Sequence, residues 1–240
     1  MSTGVGLRPR NSDARIDSQM FVLRAGDTNA NPSHMEGEGD LNADYAARMK
    51  KFLEMYDETS MGSNSERAYT QFDISELGPC GDFPYGYVGE TVAPCIFVKL
   101  NTIWGWVPEP VDCGVDIDEY DQCPEGLTNH MKSPEGSAAG DQNVWIDCNG
   151  RYAADREALE GNLEYFPASR AIPISYFPFE GKSKGQAYHS PLVAIKVNMK
   201  PESQGQLVHI ECRAYYKGVK HVTKTKEGLV QFEVQIKKDT

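Results

Sequence analysis

Between Leu41 and Tyr56 the apolar residues Leu41, Tyr45, Met49, Phe52, Leu53 and Tyr56 recur at three- and four-residue steps, while Arg48, Lys50, Lys51 and Glu54 fall between them. That spacing predicts one amphipathic helix, with Asp40 or Asn42 able to cap its start. Farther along, the period becomes two. Val208, Ile210, Cys212 and Ala214 alternate with His209, Glu211, Arg213 and Tyr215, and Val230, Phe232, Val234 and Ile236 alternate with Gln231, Glu233, Gln235 and Lys237. These are half-buried strands. Val193, Ile195 and Val197 predict a third, the run Cys95-Ile-Phe-Val-Lys-Leu100 a fourth, and Gly-, Pro-, Asn- and Asp-rich turns separate them. The pattern predicts a mainly β fold, an antiparallel sandwich carrying one helix and long loops. Residues 1–40 read as an extended lead-in to a single domain over 41–240, and residues 112–142, low in hydrophobicity, as a surface excursion.

Composition narrows the function. The 240 residues are 40% hydrophobic, enough for a substantial core. A formal charge of −11 argues against nucleic acid or an anionic membrane surface as partner. No apolar run approaches the roughly 18 residues that cross a bilayer, and the stretch after Met1 lacks the apolar centre of a secretory signal. Cys80, Cys95, Cys113, Cys123, Cys148 and Cys212 are an even number without a CxxC pair, which favours disulfides over zinc and predicts an oxidised, extracellular domain. The expectation is therefore an excerpt whose targeting segment lies upstream of Met1. Sequence alone leaves all fifteen disulfide pairings open.

Candidate chemistry is sparse. Gly181-Lys182-Ser183 has the tail of a phosphate-binding loop, but Tyr176 occupies the position of the first glycine and would fill the cradle. Asp112, Asp116, Asp118, Glu119 and Asp121 do not have calcium-loop spacing, and a solvated acidic loop is expected. Histidines 34, 130, 189, 209 and 221 are scattered, with His209 on the outward side of its strand. Ser190 and His189 are adjacent and point to opposite faces of an extended chain, so they do not form a nucleophile and base. No catalytic residue, cofactor site or metal site is predicted. One feature stands out: Tyr176-Phe177-Pro178-Phe179 places bulky rings so close together that they cannot all face one core, and at least one should be exposed or cover a partner.

Phe52 to Tyr56, Leu77 to Cys80, Tyr85 to Tyr87, Pro94 to Asn101, Gly161 to Phe166, Tyr176 to Lys182 and Ile210 to Tyr215 follow one another in an order that resembles the extracellular domain of the β subunit of sodium/potassium-type (P-type) cation ATPases. Phe52-Leu53-Glu54-Met55-Tyr56 resembles the family's RFLEKY helix. Leu77-Gly78-Pro79-Cys80, Tyr85-Gly86-Tyr87 and Pro94 to Asn101 resemble its LGNC, YGY and PCIIIKLN segments. Gly161 to Phe166 resembles GNVEYF, Tyr176 to Lys182 resembles YYPYYGK, and Ile210 to Tyr215 resembles IECKAY. The resemblance implies an immunoglobulin-like ectodomain, held in the plasma membrane by an N-terminal helix outside this chain, with a cytosolic N-terminus. It implies a non-catalytic subunit that assembles with the catalytic α subunit, stabilises it, aids its export and modulates cation transport, with a further role in cell adhesion. The residues implied at the partner interface are Tyr176, Phe177, Pro178, Phe179, Gly181 and Lys182. The implied disulfides are Cys80–Cys95 and Cys148–Cys212, which leave Cys113 with Cys123. The chain departs from the pattern at three places: Thr70 stands where a further cysteine is usual, Cys113 and Cys123 lie in an acidic segment without counterpart, and no N-x-[ST] acceptor is present. These departures fit a divergent, invertebrate-like member. Two other readings remain open on sequence: a secreted or cell-surface adhesion module of the same fold, and a hydrolase with a dispersed site.

Overall fold

Two sheets face each other across the core in a computed structural model that describes residues 4–9, 19–28, 41–57, 70–113, 123–181 and 188–238. The strands are β1 (Val5–Arg8), β2 (Gln19–Arg24), β3 (Cys95–Leu100), β4 (Asn143–Gly150), β5 (Leu163–Phe166), β6 (Ala171–Pro173), β7 (Val193–Val197), β8 (Leu207–Tyr215) and β9 (Leu229–Lys237). One sheet has the order β1-β3-β7-β5, the other β2-β9-β8-β4-β6. Every pairing is antiparallel except β2 on β9, which is parallel. The fold is thus mainly β and sandwich-like, as the period-two pattern predicts.

Register explains why the alternation is so clean. Across β8 and β9, Val208 lies opposite Val234, Ile210 opposite Phe232 and Cys212 opposite Val230. All six are buried. The intervening pairs, His209 with Glu233 and Glu211 with Gln231, face outward. β3 and β7 instead lie inside their sheet and are buried on both faces, which accounts for their continuous apolar runs.

The helix α1 (Leu41–Asp57) buries Tyr45, Ala46, Met49 and Leu53, whereas Leu41 remains exposed. Asn42 is fully buried and does something other than capping. Its amide donates to the Arg24 carbonyl and its oxygen accepts the Arg24 N–H, both at 2.9 Å, so it closes the free edge of β2. Asp40 lies outside the described residues.

Two expectations change. Residues 1–40 include β1 and β2, which are edge strands of the two sheets, because Val5, Leu7, Phe21 and Leu23 alternate into the core despite their polar surroundings. The surface excursion carries two short helices, α2 (Glu125–Met131) and α3 (Pro134–Ala138), and a further one, α4 (Ala153–Leu159), follows β4. Leu127 from α2 joins Val111, Trp145, Ala171 and Tyr215 in a second, smaller apolar cluster on the outer face of the five-stranded sheet. α4 packs so closely on β4 that a Cβ at Gly150 would lie 2.3 Å from the Arg156 nitrogen.

Three disulfides join Cys80 to Cys95, Cys113 to Cys123 and Cys148 to Cys212. The last connects directly opposed residues of β4 and β8.

Candidate partner surface

The aromatic run begins where β6 ends. A 3-10 turn over Ile174–Tyr176 lets the Phe177 N–H return to the Ile174 carbonyl, and this turn sends successive rings in different directions. Tyr176 goes inward: its ring meets Phe72 edge-on at 5.6 Å, and its hydroxyl donates to Glu76 Oε1 at 2.6 Å. Burial, reinforced by the Glu76 carboxylate, pushes the Tyr176 phenol well above its ordinary value. Phe177 is also buried, packed edge-on against Trp106 at 5.6 Å, which in turn packs on Tyr216 at 5.4 Å. Tyr188 ties the turn down by donating to the Tyr176 carbonyl at 3.0 Å.

Past Pro178 the chain comes to the surface. Phe179 is half-buried and forms an isolated parallel bridge with Trp104, with the Gly105 N–H donating to the Phe179 carbonyl. Its ring lies between Trp104 at 6.3 Å and Tyr188 at 5.1 Å. Gly181 has φ +76°, and a Cβ there would sit 2.5 Å from Trp104 Cζ3. Glycine is required twice over, by backbone and by space. Of the residues implied at the interface, Tyr176 and Phe177 are therefore covered within the chain, Phe179 and Gly181 lie at the surface with Pro178 half-buried, and Lys182 is outside the described residues. Among the described residues, the ring most open to solvent is one that sequence reasoning passed over: Trp104, 69% exposed. Its only sequence signal is a tryptophan beside a turn glycine directly after a buried strand.

The remaining candidates separate. Asp112 is described, but Asp116, Asp118, Glu119 and Asp121 lie outside the described residues, as do Ser183 and His34. His130 and His221 each place Nε2 3.0 Å from a backbone oxygen, of Ser169 and Ala214 respectively. His189 packs at 4.9 Å from the Tyr56 ring, while the Ser190 hydroxyl points to the Leu100 carbonyl. His209, on the outer face as predicted, lies 3.5 Å from Asp155 and 3.6 Å from Glu233.

A polar cleft of about 590 Å³ opens between β4, α4 and β5, lined by Asp147, Arg156, Leu159, Tyr165 and Arg170 among others. Arg170 donates to Asp147 at 2.9 Å and lies 4.0 Å above the Tyr165 ring. The Tyr165 hydroxyl is itself engaged with the Cys148 backbone at 3.0 and 3.1 Å. Asp147, Arg170 and Tyr165 are thus engaged with one another and with the backbone, and what they present to the cleft is an ion pair.

Comparison with known proteins places this sequence among relatives. The family described as "Sodium / potassium ATPase beta chain" matches residues 34–232. The chain is 37% identical over 155 residues to sodium/potassium-transporting ATPase subunit beta-1 of Drosophila melanogaster, covering 62% of this chain and 44% of the relative. It is 32% identical over 166 residues to subunit beta-2 of the same fly, covering 68% and 48%. To subunit beta-2 of Homo sapiens it is 26% identical over 234 residues, covering 88% and 63%. The chain spans about half the length of the fly relatives it matches.

Proposed function

The chain belongs to the sodium/potassium ATPase beta chain family, and from that premise we propose that it is the extracellular part of a non-catalytic β subunit. In this reading it assembles with the catalytic α subunit of a P-type cation pump, stabilises it and aids its export, and modulates cation transport at the plasma membrane. A membrane helix upstream of Gly4 anchors it.

The observation that carries the reading is the extent of the match. It runs from before α1 into β9, so it takes in the helix and the central strands of both sheets and not a single motif. Within that span the segment Tyr176 to Gly181 has the build of an anchor for a partner. Tyr176 and Phe177 fix it from beneath, and Phe179 stands half-open on top. Rigid rings held in this way are the side chains that most often dominate protein interfaces.

Co-expression of the full-length subunit with a catalytic α subunit tests the proposal. Phe179→Ala removes a surface ring and leaves Tyr176 and Phe177 in the core, so recovery of α in a pull-down is expected to fall roughly thirtyfold, the equivalent of about 2 kcal/mol. Tyr176→Phe keeps the ring and should leave recovery unchanged. Undiminished recovery with Phe179→Ala would place the interface elsewhere, and no recovery with the unaltered subunit would overturn the reading.

A further inference from the structure

Asn149-Gly150 is the one Asn-Gly pair in the chain, and it closes β4 at the point where the strand loses its neighbour on one side. Asn149 is exposed and Gly150 buried. On the β8 side pairing continues past the pair, with the Arg151 N–H donating to the His209 carbonyl at 2.9 Å. Alternate N–H groups face the other side, where β6 pairs only with Asn143 to Trp145. Beyond that point Ile146 donates to the Arg170 carbonyl at 2.8 Å and Cys148 to the Tyr165 hydroxyl at 3.0 Å. The Gly150 N–H turns back onto the side chain just before it, to Asn149 Oδ1 at 2.8 Å.

That bond holds a backbone nitrogen beside the side-chain amide carbon it can attack, and Gly150 has no side chain to obstruct the approach. Water reaches the site, because Asn149 lines the cleft of about 590 Å³ and an adjoining hollow of about 190 Å³. Arg156 lines both, and its positive charge favours an anion formed there. The carboxylates nearest in register are already matched: Glu211, opposite Asn149, by Arg213 at 2.6 Å, and Asp147 by Arg170 at 2.9 Å. Glu157 and Glu160 line only the larger cleft.

We propose that Asn149 is a self-modification site, converted by water to aspartate and isoaspartate through a succinimide, and that the isoaspartyl form loosens α4 from β4. Hydroxide removes the Gly150 N–H proton, the nitrogen bonds to Asn149 Cγ, and the Cγ–Nδ2 bond breaks as Nδ2 takes a proton from water and leaves as ammonia. Water then opens the cyclic imide at either carbonyl. Asparagine and water become a carboxylate and ammonium, and nothing is oxidised or reduced. The isoaspartyl product carries an extra carbon in the backbone of a segment pinned at both ends. Cys148 before it is bridged to Cys212, and Gly150 after it lies so close under α4 that even a Cβ would be 2.3 Å from the Arg156 nitrogen. α4 is further tied to the sheet by Asp155, which accepts the Tyr152 and His209 N–H groups at 3.0 and 3.2 Å.

The test incubates the folded 240-residue chain at neutral and mildly alkaline pH and follows it by peptide mapping. Asn149 should gain about 1 Da ahead of every other asparagine, as separable aspartyl and isoaspartyl peptides. The rate should rise about tenfold per pH unit, in step with the deprotonated fraction of the amide. Asn143 lies in the same tryptic peptide, residues 133–151, and should stay intact, since it is buried and its amide donates to the Ala139 and Gly140 carbonyls. Asn149→Gln, which would have to close a larger ring, should show no conversion at an unchanged melting temperature. Purified isoaspartyl chain should exchange its α4 amides faster than Asn149→Asp, which adds the charge without the backbone carbon. A folded chain that stays intact while the reduced, urea-unfolded chain converts would show that β4 shields Asn149, and would overturn the proposal. So would conversion to aspartate alone, which excludes the cyclic intermediate, or another asparagine reacting first. α4 exchange no faster than in Asn149→Asp would overturn the loosening.

Discussion

Asp147 and Glu211 both lie on the outer face of the five-stranded sheet, on adjacent strands, yet their carboxyls are displaced in opposite directions. Burial pushes Asp147 above its ordinary value, and the Arg170 guanidinium at 2.9 Å opposes this without cancelling it. At Glu211 burial also pushes upward, but hydrogen bonds from Gln231 and Arg213 outweigh it and hold the carboxyl below its ordinary value. The signs follow from proton linkage. A raised carboxyl holds its proton more tightly folded than unfolded, so between the unfolded value, about 4, and the raised one, stability is lost as pH climbs. A lowered carboxyl does the reverse, and its stabilisation disappears as pH falls through the lowered value. Urea unfolding across acidic pH should therefore show wild type losing ground to Asp147→Asn as pH rises through that window. Against Glu211→Gln it should gain ground as pH rises from the most acidic end. Parallel curves for either pair would refute the assignment. None of this is legible in the sequence, where both residues are simply polar members of an alternating strand: Arg170 is 23 residues from Asp147, and Gln231 is 20 from Glu211.

At the scale of elements, what the sequence discloses depends on whether an element owes its form to its own pattern or to its neighbours. β8 and β9 are plain because each buries one face along nine residues, and α1 because its stripe runs for four turns. β1 and β2 are only four and six residues long and are completed by pairing with β3 and β9, residues far away in sequence. α2, α3 and α4 are of seven, five and seven residues, too short to persist in isolation, and form where the sheet covers them. The rings of the aromatic run fall between these cases: their crowding predicts that they must diverge, but which ring goes inward is decided by Phe72, Glu76 and Trp106. The most consequential device that the pattern hides is Asn42, which looks like a helix cap and serves as a substitute strand partner. Its two bonds to Arg24 and the Tyr45 hydroxyl donating to the Met20 carbonyl at 3.3 Å occupy the open edge of β2. An edge closed in this way is protected from pairing with another chain. Asn42→Ala should cost about 2 kcal/mol, since it strips partners from two backbone groups at once, and should show as a lower urea midpoint. Faster thioflavin-positive aggregation should accompany it. A variant as stable and as soluble as wild type would show that water replaces the amide without loss.

Across the whole molecule the disulfides divide the stabilisation unequally. Cys148–Cys212 closes a loop of 64 residues, and Cys212 is fully buried in the main core between the sheets. Cys113–Cys123 closes 10 residues and packs against the smaller outer cluster with Val111 and Leu127. In the chain-entropy account the longer loop contributes about 4 kcal/mol and the shorter about 3, and the longer bridge also fills core volume whose loss leaves a cavity. It further pins β4 to β8 at opposed positions, the contact on which the sheet's centre and, through the Tyr165 hydroxyl on the Cys148 backbone, the neighbouring sheet both depend. Replacing Cys148 and Cys212 together by serine should therefore lower the denaturation midpoint well beyond the same change at Cys113 and Cys123. The second pair of substitutions should loosen only the outer cluster, seen as faster hydrogen exchange at Val111, Leu127 and Tyr215 with the central strands still protected. Equal midpoint shifts, or exchange that quickens throughout both sheets when the short loop is opened, would mean that the outer cluster and the main core unfold as one unit.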